Sequence, residues 1–189
     1  MIENNIKKDP SSLMQQAKNG NKDAFGVLYK MYFTPVFRYI SLRLKDKVQT
    51  EDLAQTVFLK VFRSLHRYRE EHKDPLAYFF TVARNTLIDF WRKKRELRLQ
   101  ETDENQIATD YSSDILVTLS EKEKVEKALL RELDLLTENQ KEALVLKFIS
   151  DLSNKQISEV IGKSEEAIRQ LQCRGLKTLR DNLKNKIEL

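Results

Sequence analysis

Apolar residues recur along most of this chain at the three- and four-residue spacing of an α-helix, without the alternation typical of strands. One such segment covers residues 23–44, within which Pro35 is expected to kink or divide the helix. A second begins at Thr50, a predicted N-cap, and ends near Leu65. A third opens at the Asp-Pro pair at 74–75, an N-cap followed by a first-turn proline. The pattern therefore predicts an all-α fold.

The periodicity fades after residue 96 and returns near Ile115, which divides the chain into two helical parts. Residues 97–114 are acidic and polar, a composition typical of a flexible linker. We therefore predict a polar N-terminal tail over residues 1–20 and a helical domain over 21–96. The linker and a second helical domain over 115–189 follow.

The second domain carries the pattern of a helix-turn-helix. Ser153 and Gln156 form a capping box before a short helix, and this helix ends at Gly162, which tolerates the positive φ of a tight turn. A longer helix follows, with Ile168, Leu171, Gly175 and Leu179 on its inner side. Its outer side carries the polar residues Arg169, Gln170, Cys173, Arg174 and Lys177. This combination favours DNA binding over a purely structural helical hairpin.

The helix over residues 81–98 runs from an apolar stripe into a cluster of cations. Trp91, the only tryptophan, lies at the edge of that stripe, next to the basic run 92–95. Rings beside cations suit single-stranded nucleic acid, because bases stack on rings while phosphates pair with Lys and Arg. The alternative is a core tryptophan beside a solvated basic helix end, where cations complement the helix dipole.

The helix that precedes it has a sufficient core stripe in Ala54, Val57, Phe58, Val61 and Leu65. Leu59 lies on the opposite side, with Asp52, Gln55 and Arg63. This apolar side chain on a polar face is either a docking position for another protein or a lone exposed leucine that requires no explanation.

Composition narrows the functional classes. The net charge of +5 favours anionic partners, and the scarcity of glycine and proline, 4 and 3 residues, agrees with a helical fold. Cys173 is the only cysteine, and no apolar run is long enough for a signal peptide or membrane span, so a cytoplasmic protein is expected. Cys173 is interpreted as a neutral helix position, with a redox switch as the alternative.

His66 and His72, the only histidines, lie in a charged segment, and no catalytic, metal-binding or cofactor-binding motif accompanies them.

Three segments in series resemble bacterial RNA polymerase sigma factors of the extracytoplasmic-function (ECF) group, which belongs to the sigma-70 class. EDLAQTVFLKVF resembles the helix that docks on core polymerase. DPLAYFFTVARNTLIDFWRKKR resembles the helix that melts and recognises the −10 element. LTENQKEALVLKFISDLSNKQISEVIGKSEEAIRQLQCRGLKTLR resembles the domain that binds the −35 element. Their order and the position of the linker also match that class.

The resemblance implies roles for individual residues. Core-polymerase binding falls to Asp52, Gln55, Phe58 and Leu59. The −10 element is contacted by Arg67, Tyr68 and Arg69, in a loop that captures a flipped base, and by Asn85, Asp89, Trp91 and Arg92 on the adjoining helix. The −35 element is contacted by Glu165, Glu166, Arg169, Gln170, Arg174 and Lys177. Tyr78 stands where the family often has tryptophan, and Leu171-Gln172 departs from the common Arg-Leu, so no −35 sequence preference is carried over.

The function implied is promoter-specific initiation with bacterial core RNA polymerase and promoter DNA as partners. An anti-sigma factor is a further partner that members of this class commonly have, and no cofactor is implied. The first alternative is a stand-alone helix-turn-helix regulator, which would bind duplex DNA tightly without polymerase. The second is an enzyme acting on nucleic acid, which the absence of a catalytic motif disfavours.

Overall fold

The computed structural model describes residues 9–44, 46–68, 74–100 and 131–187, with the side chains of 98–100 and 185–187 left aside. Within these ranges the regular structure is entirely helical, as predicted. The α-helices described from end to end are α1 (Pro10–Lys18), α2 (Lys22–Ser41), α3 (Lys47–Ser64), α4 (Pro75–Gln100), α5 (Glu138–Leu144), α6 (Asn154–Ile161) and α7 (Glu165–Ile187). Residues 131–134 are also helical. None of these described helices is both long and apolar enough to cross a bilayer.

The N-terminal segment differs from the polar tail predicted over residues 1–20. Asp9 caps α1 by accepting a hydrogen bond from the Ser12 amide at 3.1 Å, and Pro10 occupies the first helical position. Leu13, Met14 and Ala17 are buried against the rest of the N-terminal helices. The prediction was wrong here because three apolar residues in a short helix give little periodicity, yet they suffice to bury one face.

Helices α2, α3 and α4 form the body of the N-terminal module. Helix α2 runs through Pro35 without dividing, so of the two predicted effects of Pro35 the division is wrong, and a kink there stays a prediction. Helix α3 begins three residues before the predicted N-cap, because the Asp46 carboxylate accepts from the Gln49 amide at 3.0 Å. Thr50, expected at that cap, is instead buried and donates its hydroxyl to the Asp46 carbonyl.

The start of α4 is confirmed, and its end is later than predicted. One carboxylate oxygen of Asp74 accepts from the amides of Leu76 and Ala77, at 2.8 and 3.3 Å. The helix then continues to Gln100, so the first residues of the predicted linker are helical. Residues 101–114 lie outside the described ranges, and the domain boundary there stays a prediction.

The C-terminal module contains the helix-turn-helix. Ser153 and Gln156 form the predicted capping box, and Gly162 takes φ 74° at the end of α6. A π-helical turn, Val145–Ile149, joins α5 to the segment before α6. Gly175 of α7 lies so close to α5 that an added Cβ would stand 2.9 Å from Leu144 Cδ1, which explains a glycine on the inner side of a long helix.

Candidate nucleic-acid and protein-docking surfaces

Helix α3 exposes a small apolar patch with polar neighbours, the docking face, defined here as Asp52, Gln55, Leu59 and Phe62. Leu59 is 48% exposed, and the two polar side chains that share its side of the helix are also exposed. Phe62, one turn further along, is likewise exposed and contacts the ring of Phe25 edge-on at 5.0 Å. Phe62 was not among the predicted contact residues, although its spacing of three from Leu59 places both on one side of the helix.

Phe58 does not belong to this face. It is only 3% exposed, and its ring lies 4.6 Å from that of Tyr29 and 5.3 Å from that of Phe79. The direct polymerase contact predicted for Phe58 is therefore corrected to a packing role, because a side chain enclosed by two other helices presents no surface to a partner.

An open cleft of about 420 Å³ lies between the end of α3 and the middle of α4. Two residues predicted to contact DNA, Arg67 and Asn85, line it. The remaining lining residues, none of which was predicted to contact DNA, are Lys60, Arg63, Ser64, His66, Val82 and Thr86. Four of the eight lining residues, counting His66, are basic types, so the cleft favours an anionic ligand.

The basic end of α4 keeps its aromatic ring at the surface. Trp91 is 44% exposed, its ring meets Phe90 edge-on at 5.3 Å, and Lys94 Nζ lies 5.4 Å from its centroid. Asp89 accepts from Lys60 at 3.5 Å and from Arg92 at 3.1 Å, so its charge is compensated by cations of both α3 and α4. This arrangement excludes a fully buried core tryptophan and leaves a ring available for stacking.

Tyr68 is placed differently from its predicted role. It is 1% exposed, its ring meets Tyr78 edge-on at 5.3 Å, and its carbonyl accepts from Lys18 Nζ at 2.9 Å. The predicted contact of the Tyr68 side chain with a flipped base is therefore corrected to a structural role at the end of the 3₁₀ turn Leu65–Arg67. Arg69 lies outside the described residues.

The outer side of α7 is exposed as the helix-turn-helix pattern predicts. Arg169 donates a hydrogen bond to the Glu166 carboxylate at 3.2 Å and forms an ion pair with Glu165 at 3.6 Å, which orders its guanidinium along the first turns. The remaining predicted contacts Gln170, Arg174 and Lys177 are exposed, as is Cys173. Gln172 points elsewhere, donating to Asn154 of α6 at 3.0 Å and so tying the two helices of the motif together.

Comparisons with known proteins agree with this division into two modules. Sigma-70 region 2 matches residues 28–96, and Sigma-70, region 4, matches residues 126–179. The ECF RNA polymerase sigma factor BldN of Streptomyces coelicolor is 34% identical over 172 residues, which is 88% of this chain and 63% of BldN. SigX of Bacillus subtilis, another ECF sigma factor, is 27% identical over 86% of this chain and 84% of its own length.

Solved structures show the same fold at lower identity. CnrH, determined in complex with the cytosolic domain of CnrY, superposes with a TM-score of 0.71 at 20% identity, over 94% of this chain and 99% of CnrH. RpoE of Bartonella quintana, determined with the anti-sigma factor NepR, gives 0.64 at 20% identity over 85% and 96% of the two chains. With both sigma-70 regions matched in the order of its two helical modules, the chain belongs to the ECF class of RNA polymerase sigma factors.

Proposed function

We propose that this chain binds bacterial core RNA polymerase and directs it to promoters, contacting the −35 element as duplex and stabilising the melted −10 element. The observation that carries the proposal is the pairing of two different DNA-binding surfaces in one chain. One is on the N-terminal module, where the exposed Trp91 ring beside Lys94 suits stacking of unpaired bases and the basic cleft between α3 and α4 suits their phosphates. The other is the polar, cationic side of α7, which suits a duplex groove.

At the −35 element, α7 would enter the major groove with its first turns towards the bases. Arg169 and Gln170 are able to form bidentate hydrogen bonds to base edges, each giving roughly 1–3 kcal/mol of discrimination. Arg174 and Lys177 lie further along the helix and suit the phosphates, which provide affinity without sequence preference.

At the −10 element, the N-terminal module would hold bases that have left the stack. Extruding a base costs a few kcal/mol, while stacking on an aromatic ring returns about 1–3 kcal/mol per base. The cost of extruding a base and the free energy gained by stacking it are nearly equal, so this chain alone would not melt a promoter. It would stabilise a strand that the polymerase helps to open.

The docking face provides a site for the polymerase itself. Leu59 and Phe62 form an apolar centre, and Asp52 and Gln55 form a polar rim, which is the arrangement of many protein interfaces. Because polymerase carries out the chemistry, the chain itself would need no catalytic step and no cofactor, and it would act in the cytoplasm, where the polymerase is. The structures of relatives in complex with CnrY and NepR support an anti-sigma factor as a further partner.

Replacing Trp91 with alanine is expected to weaken binding of a −10 non-template oligonucleotide by the polymerase complex, by roughly 1–3 kcal/mol for a lost stack. Trp91→Phe keeps a ring and should retain most of the affinity. Because the side chain is half-exposed, the free energy of unfolding should change by no more than about 1 kcal/mol. Fluorescence anisotropy of a labelled oligonucleotide measures the difference, and equal affinities of the alanine variant and the parent would contradict the stacking role.

The same kind of measurement separates this function from a stand-alone regulator. We expect the chain alone to bind promoter duplex weakly and the chain with core polymerase to bind it tightly and selectively. Tight, selective duplex binding by the chain alone, without measurable affinity for core polymerase, would favour the regulator. Leu59→Asp, on the docking face, is the matched variant, and it should abolish the effect of polymerase while leaving the weak duplex binding unchanged.

A further inference from the structure

The C-terminal end of α3 continues into the 3₁₀ turn Leu65–Arg67, and the Lys18 side chain of α1 reaches the end of this turn. The Lys18 ammonium Nζ donates to the backbone carbonyl of Tyr68, the residue that ends the turn, at 2.9 Å. Carbonyls at the end of a helical segment have no partner within it, and a cation placed there also complements the helix dipole. Lys18 therefore caps the end of the turn from a different helix.

Helix α4 holds the same turn through Tyr78. Its ring meets the buried Tyr68 ring edge-on at 5.3 Å, and its hydroxyl lies 2.7 Å from Ser64 Oγ, within hydrogen-bond distance. Ser64 is the last residue of α3, so the hydroxyl contact lies immediately before the turn and the ring contact immediately after it. The backbone between Ser64 and Tyr68 is thus fixed by two other helices, α1 and α4.

The turn that these contacts fix forms part of the wall of the basic cleft. His66 and Arg67 line the cleft, and Arg67 Nε donates to His66 Nε2 at 3.2 Å, which orders the two side chains relative to each other. A shift of the turn would move both groups relative to Asn85, which lines the cleft from α4. A ligand that needs one fixed arrangement binds more weakly when fewer molecules have it, so a residue that holds the turn contributes to affinity without touching the ligand.

The body of α1 is held by contacts other than that of Lys18. Leu13, Met14 and Ala17 are buried, and α1 packs along α2 and against α4. Lys18 is exposed and lies in the last turn of α1, so its ammonium can be removed without disturbing this buried face. Helix α1 also precedes residues 28–96, the segment that matches Sigma-70 region 2. The contact with the turn therefore comes from outside the matched region.

We propose that Lys18 is a positioning residue for −10 recognition, which fixes the turn Leu65–Arg67 at the cleft without itself contacting DNA. The role rests on the proposed function for the ligand of the cleft, whereas the hold on the turn is a property of the free chain. A positioning lysine and a phosphate-binding lysine differ in their effect on salt dependence. Losing a phosphate contact reduces the salt dependence of binding by about one ion, while losing a positioning contact leaves it unchanged.

The first measurement follows the turn in the free, full-length chain. The Tyr68 amide donates to the Leu65 carbonyl at 3.0 Å, so its hydrogen exchange, resolved by NMR, reports opening of the turn. Lys18→Met removes the ammonium from a side chain of similar length and should raise this exchange rate by about 3- to 10-fold, the contribution of one hydrogen bond. Lys18→Arg keeps a cationic donor and should stay close to the parent. Lys22→Met removes an equal charge from an exposed lysine of α2 and should leave the rate unchanged.

The second measurement is the affinity of the chain with core polymerase for a labelled, single-stranded −10 oligonucleotide at several salt concentrations. Lys18→Met should lower this affinity by no more than the factor by which exchange rises, because only the fraction of molecules with the turn in place has changed. The slope of affinity against salt should equal that of the parent. Lys18→Arg should restore the affinity.

Each measurement has a result that would overturn the positioning role. Unchanged exchange of the Tyr68 amide in Lys18→Met would overturn it, whatever the effect on DNA binding. A salt slope reduced by about one ion would do so as well, because Lys18 would then contact a phosphate directly. Faster exchange with unaltered oligonucleotide affinity would show that the turn does not contribute to recognition. If exchange rises as expected but even the parent complex does not bind the −10 strand, Lys18 still holds the turn and the proposed function fails.

Discussion

Phe58→Ala is expected to destabilise the N-terminal module by about 3–5 kcal/mol, the usual cost of removing a buried phenylalanine from a core. The ring packs between those of Tyr29 and Phe79, so its loss leaves a cavity that three helices would have to close. Chemical denaturation followed by circular dichroism measures this cost. Polymerase affinity should fall only as far as the folded fraction falls, because Phe58 has no exposed surface for a partner.

Leu59→Ala is the matched control on the adjacent position. Leu59 is 48% exposed, so its truncation should change the free energy of unfolding by about 0.5 kcal/mol or less. Affinity for core polymerase should nevertheless fall by 1 kcal/mol or more, roughly fivefold or greater, as for a residue at an interface centre. The reverse pattern, with Phe58→Ala stable but unable to bind polymerase, would show that the assignment by burial is mistaken.

Arg169→Ala is expected to remove most of the discrimination at one −35 position, by roughly 1–3 kcal/mol, if the guanidinium contacts a base edge. Its pairs with Glu165 and Glu166 are exposed and contribute only a few tenths of a kcal/mol each, so the helix should remain folded. The measurement is competition between the preferred −35 sequence and single-base variants for the polymerase complex.

Lys177→Ala provides the contrast for Arg169. A phosphate contact should weaken binding nearly equally for all sequences and reduce the salt dependence by about one ion. Unchanged promoter preference in Arg169→Ala, on a template that depends on its −35 element, would contradict the assignment of α7 as the recognition helix.

The predictable part of the fold was the part set by local chemistry. Two helix starts were identified from the sequence alone. Asp74 before α4 and Ser153 before α6 each accept a hydrogen bond from a backbone amide no more than three residues away, so the capping pattern is local. Gly162 takes the positive φ that the turn requires. Helix α1 was missed because its buried face depends on a surface that other helices provide.

The binding residues were predictable only in part. Helical phase already placed Phe58 on the core stripe, whereas the family resemblance placed it at an interface, and its burial agrees with the phase. Helical phase also placed Leu59 on the outer side of α3. Extending the same phase by one turn would have identified Phe62 as a second exposed apolar residue. The buried contact of Glu142 with Tyr39 and Arg43 could not be predicted. These partners are about 100 residues away in the sequence, and only the packing of the two modules brings them together.

Run-off transcription with purified bacterial core polymerase tests the central claim most directly. On promoter fragments from the source genome, core polymerase alone should give no specific product. Addition of this chain should give transcripts from defined start sites that depend on sequences near −35 and −10. The absence of any specific transcript across such fragments, with a chain that is folded and binds duplex DNA tightly by itself, would contradict the account.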